Sequence, residues 1–246
     1  MRTAVVTGGI GGLGTAICKA LAAQGMQVIA ADLAARAERV EQFKAEVAEF
    51  AGKIVFEAIN VADFDACAEF AARVHANYGA VDIVVNAAGI TKDMTFRKMP
   101  AQAWMDVLKV NLDGAFNVTR QFIDGMCDRG FGRIVNISSV NGSTGQFGQT
   151  NYSASKAGIH GFTMALAKEV ARKGVTVNSV SPGYCRTAMV MSIPEAVREQ
   201  IIATIPVGRI GEPSEIARTV EFLVAEEAGF ITGANIPVNG GMFISF

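Results

Sequence analysis

The chain has only two histidines, His75 and His160, and four cysteines, Cys18, Cys67, Cys127 and Cys185. The cysteines are scattered without metal-ligand spacing, so no zinc or iron site is expected, and they read as reduced thiols of a cytoplasmic protein. Neither histidine has a partner pattern, and both read as structural. An excess of one charge is also missing. Twenty-two Lys and Arg against 23 Asp and Glu leave a net charge of −1, which gives no electrostatic reason to bind nucleic acid or a membrane surface. No apolar run is long enough to cross a bilayer. Met1-Arg2 leads straight into strand-like sequence, so no signal peptide is expected. No repeat, linker or low-complexity segment interrupts the chain. What is plentiful is apolar: 50% of the 246 residues are hydrophobic, enough for the core of one large α/β domain.

Strand-like and helix-like segments alternate. Strands are expected at 3–6, 27–31, 53–59, 82–86, 133–138, 176–180 and 236–238. Helices are expected at 35–50, 63–78, 102–124 and 152–172, with another after the first strand, where Ile17, Ala20 and Leu21 share one side. This alternation predicts a single α/β domain over 1–246, a Rossmann-type doubly wound parallel sheet with helices on both faces. The least regular stretch, 183–213, is rich in Gly, Pro and Met. A long irregular segment of this kind beside a ligand crevice is a candidate lid, placed at about 184–213.

Two patterns carry chemistry. The first strand runs directly into Thr7-Gly8-Gly9-Ile10-Gly11-Gly12-Leu13-Gly14, and a helix opens there. Strand, glycine-rich turn and helix start form the arrangement that takes a dinucleotide pyrophosphate, because glycines let the cofactor approach the backbone and the first helical N–H groups face the phosphates. Asp32 ends the second strand, close to the ~20-residue spacing of a ribose-binding acid. Its carboxylate can accept from the adenosine ribose hydroxyls and would repel a 2′-phosphate, so NADH is expected over NADPH. Arg36, which could swing toward that phosphate, is a contrary signal. The second pattern is Tyr152-Ser153-Ala154-Ser155-Lys156. The phenol and the ammonium lie one helical turn apart and project from one face. A nearby cation favours the phenolate and brings the phenol toward a useful range. Ser139, at the end of the apolar run before it, adds a hydroxyl donor. Together they suit the polarising and protonating of a carbonyl oxygen.

With these residues the chain resembles the short-chain dehydrogenase/reductase family from about residue 3 to Gly240-Gly241. The matching pieces are Thr7-Gly8-x-x-x-Gly12-x-Gly14, Asn86-Ala87-Ala88-Gly89, Asn111, Ser139, Tyr152-x-x-x-Lys156 and Pro182-Gly183. Ala87 departs from the second Asn common there. Within the family, the runs 95–99, 131–142 and 145–152 resemble the acetoacetyl-CoA reductases of polyhydroxybutyrate synthesis. The resemblance implies hydride transfer from a reduced nicotinamide to a 3-oxoacyl-CoA, giving a 3-hydroxyacyl-CoA of R configuration. It implies Tyr152 as acid, Ser139 as holder of the keto oxygen, Lys156 on the nicotinamide ribose and Asn111 as holder of a water behind Lys156.

The cofactor set comprises Gly8, Gly11, Gly12, Leu13, Gly14, Asp32, Asn60, Val61, Asn86, Ala87, Ala88, Gly89, Tyr152, Lys156, Pro182, Gly183 and Thr187, with Asn60 and Val61 along the adenine. Asp93, Gln146, Phe147, Gln149 and Tyr184 are expected along the acyl and pantetheine path, and Lys92, Arg97 and Lys98 on the rim near the CoA phosphates. Trp104 reads as a packing anchor. The resemblance further implies a homotetramer, joined through wide apolar faces carrying Phe116, Phe122, Phe162, Met164 and Leu166. Two alternatives stand beside this reading. One is a 3-oxoacyl-acyl-carrier-protein reductase, which a basic docking patch near Arg129 and Arg172 would favour. The other is a cofactor-binding regulatory protein without turnover.

Overall fold

The computed structural model of the chain describes residues 1–35 and 37–244, apart from the Met189 side chain. The strands are Thr3–Thr7 (β1), Gln27–Asp32 (β2), Ile54–Ala58 (β3), Ile83–Asn86 (β4), Gly132–Ile137 (β5), Val175–Pro182 (β6) and Asn235–Val238 (β7). In β1, β4, β5 and β6 every residue is buried, as befits strands covered on both faces. All pairings are parallel, in one seven-stranded sheet of order β3-β2-β1-β4-β5-β6-β7. The expected doubly wound sheet is therefore present. The chain winds outward from β1 to β3, returns to the other side of β1 as β4, and winds outward again. Connections leave β1 and β4 on opposite sides, which opens a crevice at the carboxyl ends of these two strands.

The helices are Gly12–Ala23 (α1), Ala37–Glu46 (α2), Phe64–Tyr78 (α3), Ala101–Leu108 (α4), Gly114–Arg129 (α5), Asn141–Thr144 (α6), Thr150–Val170 (α7), Ala188–Met191 (α8), Glu195–Thr204 (α9) and Pro213–Val224 (α10). The two-residue period of a strand sorts the core into two layers. Ala4, Val6, Val28, Ala30, Ile83 and Val85 pack with Ile17 and Leu21 of α1, Phe43 of α2 and Val220 and Leu223 of α10. Their strand neighbours Val5, Ile29, Ala31 and Val84 pack with Phe70 of α3, Phe122 and Met126 of α5 and Val170 of α7. No helix of the described residues is long and apolar enough to cross a membrane.

Four differences from the sequence reading have local causes. The expected helix over 102–124 is divided into α4 and α5 by a π-helical turn at Lys109–Asp113. There Gly114 packs so close to Val61 that a Cβ would lie 2.9 Å from its Cγ2. Helix α10 was not anticipated, because its N-cap is Glu212 rather than Ser, Thr, Asp or Asn. The available signals were Pro213 in the first turn and the reciprocal Glu212–Glu215 capping box. The stretch 183–213 is not wholly irregular, since it holds α8 and α9. Finally, Phe122 does not belong to an outer face. It is 2% exposed, and its ring meets Phe70 edge to face at 6.3 Å.

Candidate active site

The crevice is built first by backbone. After β1 the chain turns at Gly8 with φ +65°, and a Cβ there would lie 2.8 Å from the Ala87 carbonyl oxygen. A Cβ on Gly14 would fall 2.1 Å from the Gly8 carbonyl oxygen. No side chain fits at either position, so the loop folds tightly on itself and on the segment after β4. Thr7 fastens that segment: its Oγ1 accepts from the Ala87 and Ala88 N–H groups at 3.1 and 3.2 Å. The open space beside the loop has two sections. One of about 470 Å³ is lined by Gly8, Gly11, Asp32, Asn60, Val61, Ala87, Ala88 and Gly89. Another of about 390 Å³ reaches from the same glycines through Leu13 and Gly14 to Ser139, Tyr152, Lys156, Pro182, Gly183 and Thr187. The sections share Gly8, Gly11, Ala87 and Gly89, so one crevice runs from Asp32 to Tyr152. A glycine-floored cleft with a carboxylate at one end and the helix start along its side fits a dinucleotide.

One residue expected in that cleft is elsewhere. Asn86 lines neither section. Its amide donates to Thr119 Oγ1 and to Asn136 Oδ1, at 2.9 and 2.8 Å. It therefore sits between sheet and helix and holds the segment from behind. Ile90 and Thr91, not singled out in the sequence, line both sections instead. Asp32 Oδ1 accepts from the Leu33 N–H at 2.8 Å. Arg36, the contrary signal for cofactor choice, lies outside the described residues. Arg39, also not singled out, braces the loop from below. It donates to the Ile10 carbonyl at 2.7 Å and pairs with Glu46 at 2.8 Å.

Ser139 stands just beyond β5. Tyr152 is in the first turn of α7, with Lys156 one turn further on. Lys156 is 4% exposed. Its Nζ donates to the Ile137 carbonyl at 2.7 Å and lies 5.7 Å from the centre of the Tyr152 ring. Burial pulls the ammonium down to about 8, because the charged form has lost water. Tyr152 moves up from its usual range. Desolvation of the phenol raises it most, hydrogen bonding with Ser139 pulls it back, and the Asp93 charge adds to the rise. This is opposite to the direction expected from Lys156. The protein's own groups thus keep the phenol protonated near neutral pH, the form a proton donor needs.

Asn111 lies within the π-helical turn and is 2% exposed. Its Oδ1 accepts from the Ile90 N–H at 2.8 Å, and its Nδ2 donates to the Ile90 carbonyl and to Ser155 Oγ, both at 3.1 Å. The amide therefore ties the segment after β4 to α7. It borders Lys156 across Gly89, whose added Cβ would lie 3.5 Å from Asn111 Oδ1 and 3.6 Å from Lys156 Nζ. His160 has a structural place on the same helix, with its Nε2 2.8 Å from Ser138 Oγ and 3.2 Å from Ser181 Oγ. His75 packs its ring on Phe122, and Trp104 is half-buried on α4.

The five residues expected along the substrate path line neither section of the crevice. Gln146 is exposed, and so is Phe147, at 87%. Asp93 and Gln149 bond each other at 2.7 Å. Tyr184 lines a separate cavity of about 110 Å³ with Ile205, Val207 and Asn239. On the rim, Lys92 pairs with Asp106 at 2.5 Å, while Arg97 and Lys98 are exposed on a short turn. Arg129 is occupied at the amino end of β4, where it donates to the Val81 carbonyl. The segment 184–213 is fastened at its base. Arg186 N–H donates to the Gly211 carbonyl at 2.8 Å, Gly211 N–H to the Tyr184 carbonyl at 2.9 Å, and Arg186 pairs with Glu212 at 2.8 Å. From this base α8 reaches the crevice with Ala188 and Val190.

Comparison with known proteins agrees with this geometry. Residues 2–198 match the family described as short chain dehydrogenase. The chain is 54% identical over 244 residues to an acetoacetyl-CoA reductase of Allochromatium vinosum, covering 99% of each chain. It is 55% identical over 244 residues to an acetoacetyl-CoA reductase of Cupriavidus necator, covering 98% of each. A 3-oxoacyl-[acyl-carrier-protein] reductase of Pseudomonas aeruginosa is 42% identical over 246 residues, covering 99% of this chain and 98% of that one. A doubly wound sheet, a glycine-floored crevice at its switch point and a Tyr–Lys pair beside a serine are thus joined by similarity along nearly the whole length, and the chain belongs to the short-chain dehydrogenase family.

Proposed function

We propose that this protein reduces acetoacetyl-CoA, and related 3-oxoacyl-CoA thioesters, to the (R)-3-hydroxyacyl-CoA, with NADH preferred to NADPH. The observation that carries the reading is the convergence of Ser139, Tyr152 and Lys156 at one end of a crevice whose other end is marked by Asp32. When bound, the reduced nicotinamide supplies a hydride to the keto carbon. The residues provide the rest. The Ser139 hydroxyl donates to the keto oxygen and holds it as charge develops. Tyr152 gives its proton to the same oxygen. Lys156 would bind the ribose hydroxyls and keeps its Nζ 5.7 Å from the centre of the Tyr152 ring. Asn111 holds the segment after β4 against α7, and a water beside it would return protons through Lys156. Gly8 to Gly14 would cradle the pyrophosphate, Asp32 the adenosine ribose, Asn60 and Val61 the adenine, and Pro182, Gly183 and Thr187 the nicotinamide side. The segment 184–213 would close over the substrate as a lid.

The choice of CoA thioester over carrier-protein thioester rests on the runs 95–99, 131–142 and 145–152, and on the activities named for the Allochromatium and Cupriavidus relatives. The Pseudomonas relative keeps the carrier-protein reading as the alternative. A regulatory protein without turnover would have no use for the assembled serine, phenol and ammonium. Steady-state kinetics decide among the three. Acetoacetyl-CoA should give a higher kcat/KM than the matching carrier-protein thioester, with chiral separation showing the R product. A carrier thioester used better would support the alternative, and no consumption of either reduced cofactor would end the enzyme reading.

We further propose a homotetramer joined through α5 and α7. A groove on this face is lined by Phe116, Ile123, Phe162 and Leu166, with Arg120 and Glu169 among them. Phe116 and Met164 are 49% and 51% exposed, more apolar surface than a lone helix pair needs to show. Light scattering at working concentration should give four subunits. A monomer there would refute the assembly.

A further inference from the structure

Asp93, Gln149 and Asn141 come from three different segments: the stretch after β4, the residue before α7, and the first residue of α6. They form a row that ends on Ser139. Gln149 Nε2 donates to Asp93 Oδ2 at 2.7 Å, and Asn141 Nδ2 donates to Gln149 Oε1 at 2.9 Å. The Asn141 backbone N–H donates to Ser139 Oγ at 3.2 Å. A bond from the Met94 N–H to the Gly148 carbonyl, 2.8 Å, holds the first two segments side by side.

The row has one polarity. A carboxylate only accepts, so Gln149 must turn its NH₂ toward Asp93 and its oxygen toward Asn141, which must then offer its own NH₂. The last link is a backbone N–H, a donor whichever way the amide turns, so the row fixes where that donor sits. It fills one acceptor position of Ser139 Oγ and turns the single O–H away from Asn141, as a donor into the crevice that Ser139 lines. We propose that Asn141, anchored to Asp93 through Gln149, is a positioning residue that orients Ser139 as the hydrogen-bond donor to the reacting oxygen. The proposal rests on the reading of Ser139 given under Proposed function. It gives Asp93 and Gln149 a different task from the substrate contacts expected of them in the sequence.

A double-mutant cycle tests this, with any 3-oxo substrate the wild type reduces and with dinucleotide binding followed by fluorescence. Asn141→Ala keeps the backbone N–H but removes its anchor. We expect kcat to fall about 3- to 10-fold, the worth of one hydrogen bond, with KM for the keto substrate and dinucleotide affinity unchanged. In a Ser139→Ala background the same substitution should lower kcat no further, because the residue through which it acts is gone. Asp93→Ala takes the acceptor from Gln149 Nε2, and it should likewise lower kcat at unchanged KM in the wild type and no further in the Ser139→Ala background.

A higher KM with unchanged kcat would make these residues substrate contacts and overturn the proposal. So would an additive loss in the Ser139→Ala background, or no effect in Asn141→Ala. If Asn141→Ala fails to bind dinucleotide, Gln149→Ala breaks the same link from the other side and replaces it in the cycle. A wild type inert toward every ketone would refute the reductase reading instead, whereas an active wild type with unaltered variants refutes only the positioning role.

Discussion

Tyr152→Phe is expected to lower turnover by about 10²–10⁴-fold, the usual worth of a positioned general acid, while dinucleotide binding is kept. The substitution removes one oxygen and leaves the ring in place. Burial, Ser139 and Asp93 together set the ionisation of that oxygen, so the loss falls on proton transfer. The anchors of α7 are untouched: Lys156 still bonds the Ile137 carbonyl and Asn111 still reaches Ser155. Steady-state kinetics paired with fluorescence titration of the dinucleotide would check both halves. Near-normal turnover would remove Tyr152 from the chemistry. Lost turnover together with lost binding would point to a damaged crevice.

The second large effect concerns the other end of the crevice. The wild type should favour NADH over NADPH in kcat/KM, and Asp32→Ser should move the ratio toward NADPH. A carboxylate and a phosphate about 4 Å apart repel by roughly 1–4 kcal/mol at intermediate dielectric, which is about tenfold to several hundredfold in the ratio. Asp32 ends β2 and lines the section of the crevice that holds Gly11 and Asn60. Gly11 offers no cation to offset the repulsion. Removing the acid should weaken NADH use, because two ribose hydroxyls lose their acceptor, and should relieve NADPH. Kinetics with both cofactors on both proteins measure this. A wild type that already prefers NADPH, or a ratio unmoved by the substitution, would show that Asp32 does not set the choice.

Much of the site could be read from the sequence, because its motifs are local. The strand, glycine turn and helix start of 3–14 are contiguous, and the tight loop at the head of the crevice needs little else. Tyr152 and Lys156 are set one turn apart by helix geometry alone. Asn86 shows where this kind of reading stops. Its place in the Asn86-to-Gly89 run suggested cofactor contact. In the sheet, however, residues alternate faces, and Asn86 shares the face of Val84, which packs toward α5, so its amide meets Thr119 and Asn136. Asn111 is similar: its partners Ile90 and Ser155 lie far from it in sequence. Tyr184 follows Pro182-Gly183 directly, yet it lines a cavity with Ile205, Val207 and Asn239. Helix α10 was hidden by an acidic N-cap, although its capping box and first-turn proline were present.

The sequence by itself determined the alternation of strands and helices, the glycine turn, the one-turn spacing of Tyr152 and Lys156 and the acid at the end of β2. Each depends on dihedral preferences and periodicities that span a few residues. Only the tertiary structure decided which side chains share a space and what water they lose. Burial under β5 and α7, not the Tyr–Lys spacing, lowers Lys156 to about 8 and raises Tyr152. The row from Asp93 to Ser139 likewise joins segments far apart in sequence. Desolvation and long-range hydrogen bonds come into being only when the chain closes on itself, so no local pattern records them.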